Sequence, residues 1–180
     1  MTTHIDLGSV LRQTLSATLY SNLVTRPTGR AVRTQIETLL ESSERSLTVL
    51  DFTHVAMIDF SCADEVVAKL LMEHGHNREA YFVFRGMTDD HWDAIESVLE
   101  RHGLALVVER DGEVELVGVL QDGERKAFQA IKRRGRAEAW ELANELGETE
   151  AAVQKALESM WRRRLIMRQG AAFTPVGELA

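Results

Sequence analysis

A single cysteine, Cys62, and two prolines stand among the 180 residues. One cysteine excludes an intramolecular disulfide framework and suits a reducing compartment. No apolar run approaches the roughly 18 residues that a membrane span requires. The opening MTTHIDLGSV has neither the basic start nor the continuous apolar core of a signal peptide. These absences lead to the expectation of a cytoplasmic chain without a membrane partner. Catalytic signatures are missing too: there is no nucleophile elbow, no phosphate-binding glycine loop and no pair of carboxylates at a productive spacing. His74 and His76 flank Gly75, but a metal centre needs three or four ligands in a recognisable pattern. The expectation is a chain that is not an enzyme and carries no metal or cofactor.

What is present is an ordinary globular composition, 44% hydrophobic and 27% charged. The net charge of −7 is shared unevenly. Residues 1–120 hold 10 Lys and Arg against 19 Asp and Glu, and residues 121–180 hold 11 against 9. An acidic front and a mildly basic back divide the chain into an expected domain at 1–120 and another at 121–180.

The front is organised around LTVLDFTHVAMIDFSCADEVVAKLL, residues 47–71. Leu47, Val49, Leu50 and Phe52 form a short apolar run of strand-forming residues, as in a buried parallel strand. After Ile58 the period changes, and Ala63, Val66, Val67, Leu70 and Leu71 share one helical face. Ser61 precedes that helix, with Asp64 three residues on in the manner of a capping box.

Before this segment, Ile5, Leu7, Val10 and Leu11 fit an opening strand, while Val10, Leu11, Leu15 and Leu19 fit a helical face. A short strand followed by helix or loop is the favoured reading. Arg26-Pro27-Thr28-Gly29 breaks the chain. Thr28 is then placed to cap a helix to about Leu40, with Val32, Ile36, Leu39 and Leu40 inward and Arg30, Arg33 and Glu37 solvated. After it, His74-Gly75-His76-Asn77 signals a helix end and AYFVF a strand. Thr88 caps a helix through about His102 on the stripe Trp92, Ile95, Val98 and Leu99. Leu104–Val108 follows as a strand, and Asp111-Gly112 reads as a two-residue hairpin turn. Alternating strands and helices imply an α/β fold, a sheet with helices packed on it.

From Gln121 the rhythm is helical: Asp122–Arg134 with Ala127, Phe128 and Ile131 inward, then Ala137–Leu146 with Trp140, Leu142, Ala143 and Leu146. A third helix from Glu148-Thr149 carries Ala152, Val153, Ala156, Leu157 and Met160. A small hairpin follows across Gln169-Gly170, ahead of Pro175.

Two resemblances emerge. A hydrophobic strand ending in Asp51, then Ile58-Asp59-Phe60-Ser61 before an amphipathic helix, resembles the STAS and STAS-like domains of anti-sigma-factor antagonists, over roughly residues 20–110. AWELANELGETEAAVQKALESMWRRRLIMR, ending in FTPVGEL, resembles the winged helix-turn-helix of bacterial regulators over about residues 122–178. Together they imply a mixed α/β sheet domain plus a small α+β winged helix. The STAS resemblance makes Ser61, beside Asp59, the position of a regulatory phosphoacceptor. Its partner would be a regulatory protein such as a serine kinase or an anti-sigma factor. Phe60 and Cys62 depart from that family's loop, and Asp64 and Glu65 add charge that would repel a phosphate. Ser61 therefore has two readings, a phosphorylated switch or a helix cap worth about 1 kcal/mol. Cys62, in the first turn, reads as a small buried hydrophobe rather than a redox thiol.

In a winged helix the third helix enters the major groove. Thr149, Gln154 and Lys155 are the candidate base-edge residues. Arg134, Arg136, Arg162, Arg163, Arg164 and Arg168, with Arg133, are the candidate backbone contacts. Glu148 and Glu150 oppose this. Three functions follow as expectations: a transcription or signalling regulator binding double-stranded DNA, an adaptor whose winged helix binds protein or a second copy, and a small-molecule or nucleotide sensor.

Overall fold

The strands show why the fold needs two covering layers. In Tyr81-Phe82-Val83-Phe84 and Ala105-Leu106-Val107-Val108 every side chain is apolar or aromatic, and all are buried. A strand alternates its side chains between faces, so both faces of such a sheet must be covered.

The computed structural model describes residues 2–15, 21–42, 47–74 and 80–177. It is a mixed α/β chain. The elements run β1 (Thr2–Asp6), α1 (Leu7–Leu15), β2 (Asn22–Leu23), α2 (Arg26–Glu41), β3 (Leu47–Asp51) and β4 (Met57–Ile58). Then come α3 (Phe60–Ala63), which passes through a π-helical segment, Asp64–Lys69, into α4 (Leu70–His74), and β5 (Tyr81–Arg85), α5 (Asp89–His102), β6 (Ala105–Arg110) and β7 (Glu113–Gly118). The remainder is α6 (Asp122–Arg134), β8 (Ala137–Glu138), α7 (Ala139–Leu146), α8 (Glu150–Arg162), β9 (Ile166–Gln169) and β10 (Ala172–Pro175).

The main sheet has the order β1-β3-β5-β6-β7. Its first four strands are parallel, and β7 adds an antiparallel edge. Asp111 and Gly112 take positive φ angles of 52° and 80° at that hairpin, as a primed turn demands. A parallel pair β2-β4 and an antiparallel set β8-β10-β9 complete the sheets.

Because the parallel strands follow one another in chain order, crossovers of the usual hand carry every intervening helix to the same face. That face joins Leu50, Phe82, Phe84, Leu106 and Val108 to α1, α2, α3 and α5 in one core. The opposite face presents Val49, Tyr81, Val83, Ala105 and Val107. These pack with Phe128, Ile131, Leu142, Leu157 and Phe173 from the C-terminal elements in a second core. The C-terminal segment is thus the second cover of the sheet.

Several local expectations change. The opening strand and following helix are present, but Leu15's side chain and all of Leu19 lie outside the described residues, as do Gly75, His76 and Asn77. Thr25, not Thr28, is the residue before α2, with φ 72° and proline in the first turn. Proline's fixed φ suits that first turn and moves the start earlier. Leu39 and Trp140 are exposed rather than inward. Both sit on helices whose apolar stripe is already filled by Val32 and Ile36, or by Leu142 and Ala143. Ala152 is likewise exposed on α8.

Candidate functional site

Asp59 organises the loop before α3. It is the N-cap, with φ −91° and ψ 170°, and its Oδ1 accepts from the Cys62 N–H and the Ser61 hydroxyl, both at 2.8 Å. Its Oδ2 accepts from the Thr25 N–H at 2.8 Å, tying this loop to the start of α2. The cap expected at Ser61 therefore sits two residues earlier. Asp59 fills the role because a carboxylate offers several acceptor sites. Ser61, in the first turn, is half-buried with its hydroxyl on Asp59.

Burial pushes the Asp59 carboxyl up, but the hydrogen bonds from Thr25 and Cys62 outweigh it and hold Asp59 below the usual carboxylate range. Cys62 is fully buried, and its thiol donates to the Thr25 carbonyl at 3.0 Å. Burial and then the Asp59 charge raise that thiol to about 12. It stays a neutral thiol.

Asp64 and Glu65 do not face the Ser61 loop as loose charges. The π-helical turn directs both inward, where Asp64 is nearly buried and Glu65 wholly so. Arg26 Nη1 lies 2.8 Å from each. Lys69 Nζ is 2.6 Å and Arg33 Nε 3.3 Å from Glu65, and His102 Nε2 is 2.8 Å from Asp64. Arg33 continues to Glu37 at 2.9 Å and Glu73 at 2.8 Å. Burial raises Glu65, yet the hydrogen bonds from Lys69 and Arg26 leave it lowered; Asp64 is lowered likewise by Arg26 and His102 against its burial. The expected repulsion of a phosphate is thus neutralised by cations. Arg33, read as solvated, is part of this network, since helices α2 and α3–α4 lie against each other, and nothing in the local sequence marks that contact.

The residues leading into Ser61 include two exposed apolar side chains. Met57 is 55% exposed and Phe60 37%, with the Arg101 guanidinium 5.7 Å from the Phe60 ring. Two large exposed apolar side chains thus precede the Ser61 hydroxyl within five residues of chain.

The C-terminal candidates divide into spent and available groups. Arg133 and Arg134 both reach Glu145, at 2.8 and 2.7 Å. Arg163 donates to the Val119 carbonyl at 2.6 Å and lies 3.4 Å from Glu124. Arg164 lies 5.7 Å from the Tyr81 ring and 5.8 Å from Trp161, and Arg168 stacks on Trp161 and Phe173 at 5.2 and 5.7 Å. Gln154 is bonded to Glu158 at 3.0 Å, and the Thr149 hydroxyl accepts from the Ala152 N–H as the cap of α8. Lys155 and Arg136 are exposed, and Arg162 is 76% exposed, 4.0 Å from Glu158. Glu148 and Glu150 are exposed beside them.

Among the described residues no cluster of three or more His, Cys, Asp or Glu could hold a metal ion, and no helix is long and apolar enough to cross a membrane. Comparisons with protein-family models, with curated proteins and with solved structures find no match, so the chain is placed by its own geometry.

Proposed function

We propose that this chain is a non-enzymatic bacterial-type regulator that works by binding a protein partner at the surface of Met57, Phe60 and Ser61. The fold reading that goes with it is a STAS-like sheet domain, with the C-terminal elements arranged as a winged helix and applied to its second face. The observation that carries it is the exposed pair Met57 and Phe60 ahead of a hydroxyl held by Asp59, with Asp64 and Glu65 paired to cations. A phosphate on Ser61 would break its bond to Asp59 and add close to two negative charges to that apolar surface, lowering affinity for a partner fitted to it. A serine kinase fits the upstream role and an anti-sigma-type protein the partner.

DNA binding by the winged helix is the second reading, supported by exposed Lys155, Arg162 and Arg136. It ranks below protein contact because the five other candidate arginines, Arg133, Arg134, Arg163, Arg164 and Arg168, contact Glu145, Glu124 or aromatic rings. The test of the leading reading is a photo-crosslinking residue placed at Met57 in native cells, with exposed Leu39 as the control position. A specific heterologous adduct from position 57, lost in Ser61→Asp and kept in Ser61→Ala, is the expected result. Adducts that are the same from both positions, or insensitive to Ser61→Asp, contradict it.

A further inference from the structure

A cavity of about 430 Å³ lies between the sheet and the C-terminal elements. Its volume is in the range of small-molecule sites, which α/β proteins favour near the carboxyl ends of parallel strands and where two structural units meet. Val49 and Val83, register partners on β3 and β5, supply an apolar floor, and Val114 and Val176 supply walls from β7 and from the chain after β10. The polar lining is His4, Arg85 and Glu109.

Arg85 and Glu109 are register partners on β5 and β6, so both side chains leave the same face about 5 Å apart. Opposite charges in that position ordinarily pair across the strands. Here they do not. Arg85 turns its Nε to Asp51 on the other neighbouring strand, at 3.0 Å. Among the described residues Glu109 forms no ion pair. A cation and an anion thus stand one strand apart at the end of an apolar chamber, uncoupled from each other.

The geometry points to a ligand site for a small zwitterion with an apolar body, the class of the amphipathic α-amino acids. Its carboxylate lies on the outer guanidinium nitrogens of Arg85, its ammonium on Glu109, and its side chain on the valine floor. A simple carboxylate would leave Glu109 uncompensated and repelled, and a simple amine would leave Arg85 unused. The ligand touches strands β5 and β6 together with Val176, so it would tighten the contact between the sheet and its C-terminal cover. This site is separate from the Ser61 surface, and either can fail without the other.

The test is isothermal titration of the full chain with L-leucine and L-phenylalanine, beside N-acetyl-phenylalanine and phenylalaninamide, each of which removes one charge. The expected result is saturable submillimolar binding of at least one free amino acid with a raised melting temperature. Each derivative is expected to bind at least about tenfold more weakly. Glu109→Gln, at a half-buried position on β6, is expected to weaken the free amino acid by a similar factor, and Arg85→Met likewise. Absence of binding at millimolar amino acid overturns the proposal. So does equal binding of the capped derivatives, or affinity unchanged in a folded Glu109→Gln variant.

Discussion

At the scale of the residue, Asp59 does the work that the serine-first capping pattern assigned to Ser61. It accepts from Thr25, Ser61 and Cys62 at once. Asp59→Ala is expected to cost about 1–2 kcal/mol in urea denaturation, with Asp59→Asn retaining most of that. The carboxyls of Asp59, Asp64 and Glu65 are all held below their ordinary values in the folded chain. Unfolded carboxyls titrate near 4, so the unfolded chain takes up these protons first as the pH falls. The stability they contribute is fully present above about pH 5 and is lost as the pH drops below 4 towards the folded values. A urea midpoint that is flat from neutrality to about pH 5 and then declines, with a shallower decline in Glu65→Gln, is the expected profile. The importance of residues 47–71 was legible from their change of period at Ile58. The cap's position was not, because Asp and Ser two residues apart are equally good caps, and only the approach of Thr25 from α2 decides between them.

At the scale of the element, the π-helical segment Asp64–Lys69 is where the sequence pattern and the structure part most clearly. In the sequence Asp64 and Glu65 read as first-turn charges that would repel a phosphate on Ser61. Here they are buried and clamped by α2 and α5 through Arg26, Arg33 and His102. Removing one partner of a buried charged cluster strands the others. Glu65→Ala is expected to cost about 3–5 kcal/mol, whereas Glu73→Ala, at the 52% exposed end of the network, costs less than about 1 kcal/mol; chemical denaturation of both variants measures the contrast. Trp140 gives the converse case, a large apolar residue on a helical stripe that turns out 52% exposed. Trp140→Ala is expected to stay within about 0.5 kcal/mol of the parent. Ile131→Ala in the second core is expected to lose about 2–5 kcal/mol. The amphipathic period located α7, but period alone does not say how wide its buried stripe is.

For the whole molecule, the strand order and the one-sided helices make the C-terminal segment necessary to the sheet. The charge asymmetry suggested a boundary near residue 120. The fully apolar strands Tyr81–Phe84 and Ala105–Val108 carried a further message, that both sheet faces need cover, and Phe128, Ile131, Leu157 and Phe173 supply it. A chain ending at residue 120 would expose Val49, Tyr81, Val83 and Val107. It is expected to aggregate or lose cooperative unfolding in calorimetry, while the full chain unfolds in one transition. The same packing bears on function, since arginines read as a nucleic-acid footprint are turned to Glu145, Glu124, Tyr81 and Trp161. The most direct measurement is fluorescence anisotropy of the full chain with mixed-sequence duplex DNA over a salt series. With Arg136, Lys155 and Arg162 as the candidate cations left available among the described residues, the protein-contact account expects no binding tighter than about 100 µM near physiological salt, and a log–log salt slope no steeper than about −3. Micromolar binding with a slope near −6 or steeper would contradict it, because that many phosphates require the arginines that the structure pairs with Glu145 and Glu124 or stacks on aromatic rings.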